Sequence, residues 1–221
     1  MDVLTCYNQA KRNIDWADYH LWISMASIIF NPTFWNIVAR KEYRSKFITR
    51  MFGGNGLYGC YALAATIFTL GIIRDTIFKI AIDHQPKEEC LDNPIAQGLA
   101  WVLFITGNVF VLSSMWVLGV TGTYLGDYFG ILMENRVTSF PFNVNDNPMY
   151  NGTVMIFLGT ALWYLSPAGI FLTIIVHFVY RFAVAFEGPF TTEIYNKRDR
   201  ERKAAAKNAA SNGRSKTKKD L

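Results

Sequence analysis

The chain has 221 residues, of which 51% are apolar and 15% aromatic, and its formal net charge is +5. These totals fit a soluble domain as well as a membrane protein, but the charge is unevenly distributed. From Lys197 onward there are ten basic and three acidic residues, which leaves 12 basic and 14 acidic residues before it. Because the positive charge is a terminal tail, the composition argues against a basic face that binds nucleic acid.

Four stretches of the chain carry almost no ionisable side chain, and they indicate the fold class. They cover residues 21–39, 57–73, 94–126 and 147–180. A bilayer core about 30 Å thick needs about 20 apolar residues in a helix, and soluble helices rarely run that far without a charge. The sequence therefore predicts an all-α, polytopic membrane protein with three to five membrane-embedded helices.

The first two stretches differ in how well they suit a membrane crossing. The first has Asn31-Pro32 at its middle, and proline removes a backbone donor and restricts the residue before it. We therefore expect a broken or in-plane first helix. The second stretch is close to the minimum spanning length and is followed by Arg74 and Asp75, which predicts a transmembrane helix.

The third and fourth stretches are longer than one crossing requires. The third is predicted to span and to continue toward a glycine-rich exit near Gly119, Gly122 and Gly126. The fourth is interrupted by Ser166-Pro167, which favours a C-terminal helical hairpin.

Basic residues orient these helices, because short cytosolic loops are enriched in Lys and Arg. Residues 40–50 contain five basic side chains, whereas residues 80–96 contain Lys87 among four acidic ones. This places residues 40–50 in the cytosol and residues 80–96 in the lumen. With a hairpin, the loop 127–147 and the tail are cytosolic; a single tilted crossing of the fourth stretch would invert this.

The two ends of the chain and its cysteines complete the expected organisation. Residues 1–196 are predicted to form a membrane-embedded domain, and residues 197–221 a basic, largely disordered cytosolic tail. The first twenty residues lack the apolar core of a signal peptide. Lys218 and Lys219 near the end resemble a dilysine signal for the endoplasmic reticulum, with a plain solvated tail as the alternative. The three cysteines lack metal-ligand spacing, so neither a metal site nor a disulfide framework is expected.

The connection between the third and fourth stretches is the first candidate for a functional site. It reads GTYLGDYFGILMENRVTSFPFNVNDNPMYNG and contains Asp127, Arg136, Asn147 and Tyr150. Tyr and Phe favour the head-group level of a bilayer, so an interfacial belt is the simpler alternative. A belt would not need Arg, Asp and Asn at this density, which favours a site.

The runs FNPTFWNIVAR, GTYLGDYFGILMENRVTSFPFN, DNPMYNG and EGPFTTEIY resemble the phosphatidylethanolamine N-methyltransferase family. The resemblance covers about residues 25–198, and it is strongest to fungal members that act on mono- and dimethylated phosphatidylethanolamine. DNPMYNG also resembles the wider group that includes isoprenylcysteine carboxyl methyltransferases. The resemblance implies methyl transfer at a membrane to a phospholipid substrate, with S-adenosyl-L-methionine as the cofactor.

The family binds this methyl donor with a G-x-G element in a membrane helix and a Glu-Glu pair after the last helix. The resemblance places the first element on residues 105–107, where Ile105 replaces a glycine, and the second on Glu187 and Gly188, where Gly188 replaces a glutamate. It therefore implies cofactor contacts by Thr106, Gly107 and Glu187. Taken alone, Gly107 is as well explained by helix packing and Glu187 by an interfacial anchor.

The acceptor nitrogen must be neutral to attack a methyl group, whereas alkylammonium groups resemble lysine with a pKa of about 10.4. Burial at a membrane surface and a nearby sulfonium both lower that pKa, so a dedicated base is not required. If one exists, Asp127, Glu134 and Tyr150 are the candidates by location. His177 in the last apolar stretch is a candidate relay or a buried histidine paired with a neighbouring helix. Tyr124, Tyr128 and Phe129 are expected to be head-group anchors.

Together these features predict a phospholipid N-methyltransferase of the endoplasmic reticulum membrane, which forms phosphatidylcholine from phosphatidyl-N-methylethanolamine and phosphatidyl-N,N-dimethylethanolamine. A prenylcysteine carboxyl methyltransferase is the alternative within the same chemistry. A non-catalytic membrane transport or partner protein is the alternative from another class, because one glycine and one glutamate of the cofactor elements are replaced.

Overall fold

The computed structural model describes residues 13–134 and 137–217, with only the backbone for residues 206–217. Arg136, Cys6 and the Lys-rich residues 218–221 lie outside the described residues. Six α-helices lie within the described part: α1 Tyr19–Ser45, α2 Phe47–Met51, α3 Gly56–His84, α4 Pro94–Thr123, α5 Pro148–Trp163 and α6 Pro167–Thr217. Short 3-10 helices cover Glu89–Leu91 and Gly126–Phe129.

The all-α membrane architecture is confirmed. The described residues contain no strand, and four helical segments are long and apolar enough to cross a membrane. These segments are Tyr19–Ser45, Gly56–His84, Pro94–Phe129 and Pro167–Ala205. Large apolar side chains point outward from them, including Trp116, which is 89% exposed, and Ile95, which is 84% exposed. Such surfaces are stable against lipid rather than against water.

The first helix corrects the sequence expectation, because α1 is continuous rather than broken. Pro32 lies inside the helix and is buried. The side-chain amide of Asn31 donates to the carbonyl of Leu70 in α3 at 3.0 Å, and the Asn36 side chain donates to the carbonyl of Pro32 at 3.1 Å. Neighbouring side chains and a packed partner helix therefore hold the backbone helical around the proline.

One end of α1, α3 and α4 carries the basic residues 40–50 and is called the basic end. Here the fully buried carboxylate of Glu42 accepts from the backbone N–H of Ile48 at 2.6 Å and from the Thr49 hydroxyl at 2.5 Å. These charge-assisted bonds fix the start of α2 against the last turn of α1. Lys46, with φ +53°, forms the corner between the two helices.

The opposite end carries most of residues 80–96 and is called the acidic end. Gln85 donates to the carbonyl of Asp15 at 2.9 Å, and Asn13 donates to Glu88 at 2.7 Å. The backbone N–H of Glu88 donates to the carbonyl of Leu165 at 2.9 Å. The N-terminal segment, the end of α3 and the turn between α5 and α6 therefore meet at one place.

The turn at residues 164–166 confirms the predicted helical hairpin. Helix α5 ends at Trp163, α6 begins at Pro167, and the Ser166 hydroxyl accepts from the N–H of Gly169 at 3.1 Å. Proline at the first helical position suits a helix start, because its missing N–H has no partner there in any case.

The cysteines depart from the sequence expectation in one respect. Cys90, in the 3-10 helix at the acidic end, is disulfide-bonded, whereas Cys60 in α3 is free and buried. The sequence did not indicate a disulfide because it shows no paired spacing. Disulfides persist in oxidising compartments, which agrees with a lumenal acidic end.

The chain divides into two compact units, Met1–Ala183 and Val184–Leu221. The first unit has a core of α1, α3, α5 and the start of α6, built around Leu21, Phe78, Phe157 and Leu172. The second unit is the rest of α6, which ends at Thr217. Its Ala, Lys, Arg and Glu residues all have high helix propensity. The division into a domain of residues 1–196 and a largely disordered tail of residues 197–221 stays a prediction.

Candidate functional site

The glycine-rich exit from α4 shapes the basic end of the first unit. Gly119 adopts φ +62° and ψ −178° inside α4, which bends the helix before its last turn. The chain then forms the short 3-10 helix Gly126–Phe129, flanked by Leu125 and Gly130 with positive φ. A Cβ on Gly126 would lie 2.6 Å from the carbonyl oxygen of Thr121, so only glycine allows this reversal.

Two of the three residues expected to be head-group anchors are packed inside instead, whereas Tyr124 is half-buried. Tyr128 is 1% exposed and Phe129 is 7% exposed. The ammonium of Lys46 donates to the carbonyl of Tyr128 at 3.0 Å, and the Tyr43 ring meets the Tyr128 ring edge-on at 6.5 Å. This block therefore fastens the end of α4 to α1, and the expectation of anchors at Tyr128 and Phe129 was wrong.

The predicted cofactor residues Thr106 and Gly107 lie in the middle of α4. Gly107 is buried, and a Cβ there would lie 2.5 Å from the carbonyl oxygen of Gly152 in α5. A Cβ on Gly152 would lie 2.7 Å from the carbonyl oxygen of Gly107. The two glycines bring the backbones of α4 and α5 into contact, so the α-carbon face of Gly107 is used for helix packing.

The neighbours of Gly107 face other directions. Thr106 is half-buried, and Ile105 is 56% exposed on the outer surface of α4. The Ile105 side chain therefore does not crowd the contact between Gly107 and Gly152. The replacement of glycine at position 105 leaves the packing of these helices intact.

Glu187, the third predicted cofactor residue, belongs to the second unit. Its side chain is half-buried, and Gly188 beside it is exposed, with no atom within 4 Å of the position that a Cβ would take. A larger side chain at position 188 would therefore fit without steric conflict. The second unit is a single helix here, with Pro189 inside it.

The candidate proton acceptors lie in different surroundings. Asp127 is half-buried in the 3-10 helix at the basic end, and Glu134 is exposed in the loop that follows it. Tyr150 lies in the first turn of α5, with its ring 5.0 Å from the ring of Tyr180. His177 is exposed on α6, with its ring against Phe178 at 5.7 Å, so it is not a histidine buried between helices.

Sequence reasoning missed a buried cation in the first unit. Arg74 is 8% exposed inside α3, and its guanidinium donates to the Tyr180 hydroxyl. Two of its nitrogens also donate to the carboxylate of Asp75, at 2.8 and 3.0 Å. It also lies 5.1 Å from the centre of the Phe157 ring. The sequence suggested that Arg74 marks the end of a helix, but α3 continues to His84. Tyr180, which accepts from Arg74, also packs its ring against the ring of Tyr150.

Comparison with known proteins identifies relatives of this chain. The family model described as phospholipid methyltransferase matches residues 95–198. A phosphatidyl-N-methylethanolamine N-methyltransferase of Neurospora crassa is 56% identical over 87% of this chain and 90% of its own length. The protein of the same name from Schizosaccharomyces pombe is 54% identical over 80% of this chain and 90% of its own.

A phosphatidylethanolamine N-methyltransferase of Homo sapiens is 45% identical over 84% of this chain and 92% of its own length. No solved structure matches the chain.

Proposed function

The chain belongs to the phospholipid methyltransferase family, and on that basis we propose that it transfers methyl groups from S-adenosyl-L-methionine to the nitrogen of methylated phosphatidylethanolamines. The acceptors are phosphatidyl-N-methylethanolamine and phosphatidyl-N,N-dimethylethanolamine, and the product is phosphatidylcholine. The observation that carries this proposal is 56% identity along nearly the whole length of a relative named for this activity.

The residues available suit the donor chemically. When bound, S-adenosyl-L-methionine supplies a methyl group on a sulfonium sulfur, together with an ammonium and a carboxylate. The half-buried carboxylate of Glu187 suits the ammonium, and the Thr106 hydroxyl suits a polar atom of the donor. The α-carbon of Gly107 is packed on α5, so its role is to let α4 and α5 approach each other closely. That contact holds Thr106, the preceding residue of α4, in place.

Positioning accounts for most of the expected acceleration. Transfer to an amine is an in-line displacement, and alignment of the reacting groups contributes about 7–11 kcal/mol in well-oriented systems. The close contact between Gly107 and Gly152 makes the α4–α5 pair rigid enough for that task. Flexible surface residues would lose this advantage, because reactants a single ångström out of place react far more slowly.

The proton of the acceptor nitrogen leaves most readily near the basic end. Asp127 lies in the 3-10 helix Gly126–Phe129, and its side chain is half-buried next to the buried Tyr128. Lys46, one of the five cations of residues 40–50, donates to the carbonyl of Tyr128 at 3.0 Å, and positive charge at this end disfavours an additional positive charge on the acceptor nitrogen. We assign Asp127 as the first candidate acceptor, ahead of the exposed Glu134 and of Tyr150 within the bundle.

We infer the location from the charges at the two ends. The protein is a multi-pass membrane protein, and its basic end belongs on the cytosolic side by the distribution of Lys and Arg. The oxidised Cys90 at the acidic end agrees with a lumenal position there. The endoplasmic reticulum is the proposed membrane, because its lumen is oxidising and its cytosolic face gives access to a water-soluble donor.

An acceptor profile tests the proposal. Purified full-length protein in phospholipid nanodiscs is incubated with methyl-labelled S-adenosyl-L-methionine and one acceptor at a time: phosphatidylethanolamine, its mono- and dimethyl forms, or a prenylcysteine analogue. We expect label in the products of the two methylated lipids and none in the prenylcysteine analogue. Label in the prenylcysteine analogue alone, or in no acceptor, would contradict the proposed function.

The assignment of site residues is tested separately with Glu187→Gln. This variant keeps the size of the side chain and removes the charge, so we expect a rise of at least tenfold in the KM for the donor with little change in the KM for the lipid. An unchanged donor KM would remove Glu187 from the site and leave the function itself standing.

A further inference from the structure

A cavity of about 420 Å³ lies between α3, α4 and α5 of the first unit. Its α3 lining residues, Asp75, Phe78 and Lys79, lie toward the C-terminal end of that helix, and its α4 lining residues lie toward the N-terminal end of α4. Both places belong to the half of the bundle nearest the acidic end. The volume falls within the range of about 300–1,000 Å³ in which small ligands are bound.

The wall of the cavity is apolar, and its mouth faces outward. Trp101 and Trp163 meet edge-on at 5.1 Å, and they are 51% and 48% exposed. Phe104, Ile156 and Phe157 line the deeper part. Exposed tryptophans on a membrane helix mark the level of the lipid head groups, so this mouth opens to lipid rather than to bulk water.

Positive charge gathers at one side of the mouth. The ammonium of Lys79 lies 5.9 Å from the centre of the Tyr164 ring, and that of Lys87 lies 5.4 Å from the same centre. Asp75, the acidic residue of the lining, is engaged by the buried Arg74. Lys87 has a weak ion pair with Asp83 at 3.9 Å, whereas Lys79 forms no ion pair with any carboxylate among the side chains that the structure describes, in residues 13–134 and 137–205.

We propose that this cavity binds a phospholipid from the surrounding bilayer, with an acyl chain between α3 and the α4–α5 pair and its phosphate on Lys79. The aromatic and aliphatic wall suits hydrocarbon, and the surplus positive charge at the rim suits a phosphate anion. A phospholipid has a hydrocarbon chain, which matches the apolar wall, and a phosphate beyond it, which matches the basic rim. Its head group lies at the depth in the bilayer that Trp101 and Trp163 mark.

This site is separate from the proposed cofactor residues of the first unit. Neither Thr106 nor Gly107 is among its lining residues, and the cavity lies in the opposite half of the bundle from Asp127. The bound lipid connects α3 with the α4–α5 pair. Its binding therefore stabilises the folded protein, because a ligand that binds only the folded state raises the free energy of unfolding.

Photolabelling tests the proposal on the full-length protein. Protein in detergent is mixed with phosphatidylcholine that carries a diazirine in one acyl chain, irradiated, and mapped by mass spectrometry. We expect labels concentrated on residues 100–104 and 156–164. Labels spread evenly over the exposed faces of α3, α4 and α6 would overturn the proposal.

Two variants and two controls define the site. Thr160→Phe places a ring in the cavity and is expected to abolish the concentrated labelling, whereas Leu112→Phe on the exposed face of α4 is not. Lys79→Gln is expected to raise the lipid concentration that gives half-maximal labelling by about tenfold, which is the loss for one charge-assisted contact. Lys41→Gln at the basic end is expected to leave that concentration unchanged. Equal labelling of wild-type protein and Thr160→Phe would refute the cavity as the place of binding.

A diacylglycerol with the same diazirine chain separates the head group from the hydrocarbon. The proposal requires labelling by this lipid to be at least about fivefold weaker than by phosphatidylcholine, and Lys79→Gln to remove the difference. This arm keeps the test decisive if Thr160→Phe does not fold. Equal labelling by both lipids would overturn the role of Lys79.

Discussion

The contact between Gly107 and Gly152 predicts the effect of a single methyl group on the bundle. In the Gly107→Ala variant the new Cβ would lie 2.5 Å from the Gly152 carbonyl oxygen, 2.8 Å from the Ile156 side chain and 3.0 Å from the Ile156 nitrogen. Two of these three atoms are backbone atoms of α5, so relief requires the helices to separate rather than a side chain to rotate.

The magnitude follows from two opposing effects. Overpacking of a well-packed core costs about 1–3 kcal/mol. Replacement of glycine by alanine inside a helix contributes about 0.5–1 kcal/mol in the other direction. We therefore expect Gly107→Ala to lower the free energy of unfolding by roughly 0.5–2 kcal/mol.

Gly98→Ala is the matched control on the same helix, because nothing lies within 4 Å of a Cβ at Gly98. Unfolding in mixed detergent micelles, followed by tryptophan fluorescence, measures both variants. Gly98→Ala should be as stable as the wild type or slightly more stable. If Gly107→Ala matched Gly98→Ala in stability and instead raised the donor KM by more than tenfold, Gly107 would be a cofactor contact and the packing argument would be refuted.

Three further predictions concern other parts of the molecule. Gly188→Glu, which meets open space, should lower the KM for S-adenosyl-L-methionine if position 188 faces the donor, and an unchanged KM would exclude it from the site. Tyr180→Phe removes an acceptor from the buried Arg74 and should destabilise the protein by about 1–3 kcal/mol in denaturant titrations; a neutral effect would show that Arg74 does not depend on this bond. Burial raises the pKa of Asp18, but bonds from His20 and Gln85 outweigh it and hold that pKa below its ordinary value of 3.8. The stabilisation is therefore present above that value and lost as the pH falls through the lower folded pKa. Asp18→Asn should therefore flatten the loss of stability at pH values below 3.8, and an unchanged pH dependence would contradict this.

The sequence predicts the helices well where a local signal marks them. Ser166-Pro167 marks the hairpin turn, and the glycines after residue 118 mark the bent exit of α4. Both depend on backbone preferences of single residues, which are visible in sequence. The continuous course of α1 was not predictable in the same way, because the Asn31 side chain that supports it bonds to Leu70, 39 residues away.

The candidate site was less accessible to sequence reasoning than the fold. The pairing of Gly107 with Gly152 depends on how α4 and α5 cross, and no pattern in either helix specifies its partner. Arg74 resembled the end of a membrane helix because its partner Tyr180 lies 106 residues further on. Tyr128 resembled an interfacial anchor because aromatic residues favour both the core and the head-group level.

Methyl transfer itself tests the central claim most directly. Purified protein in nanodiscs that contain phosphatidyl-N,N-dimethylethanolamine is supplied with labelled S-adenosyl-L-methionine, and the label in lipid is compared with the donor consumed. The account predicts one labelled methyl group in phosphatidylcholine for each donor consumed, with no consumption when the acceptor lipid is left out. Folded protein that consumes no donor in the presence of this lipid, or that consumes it without labelling the lipid, would contradict the account.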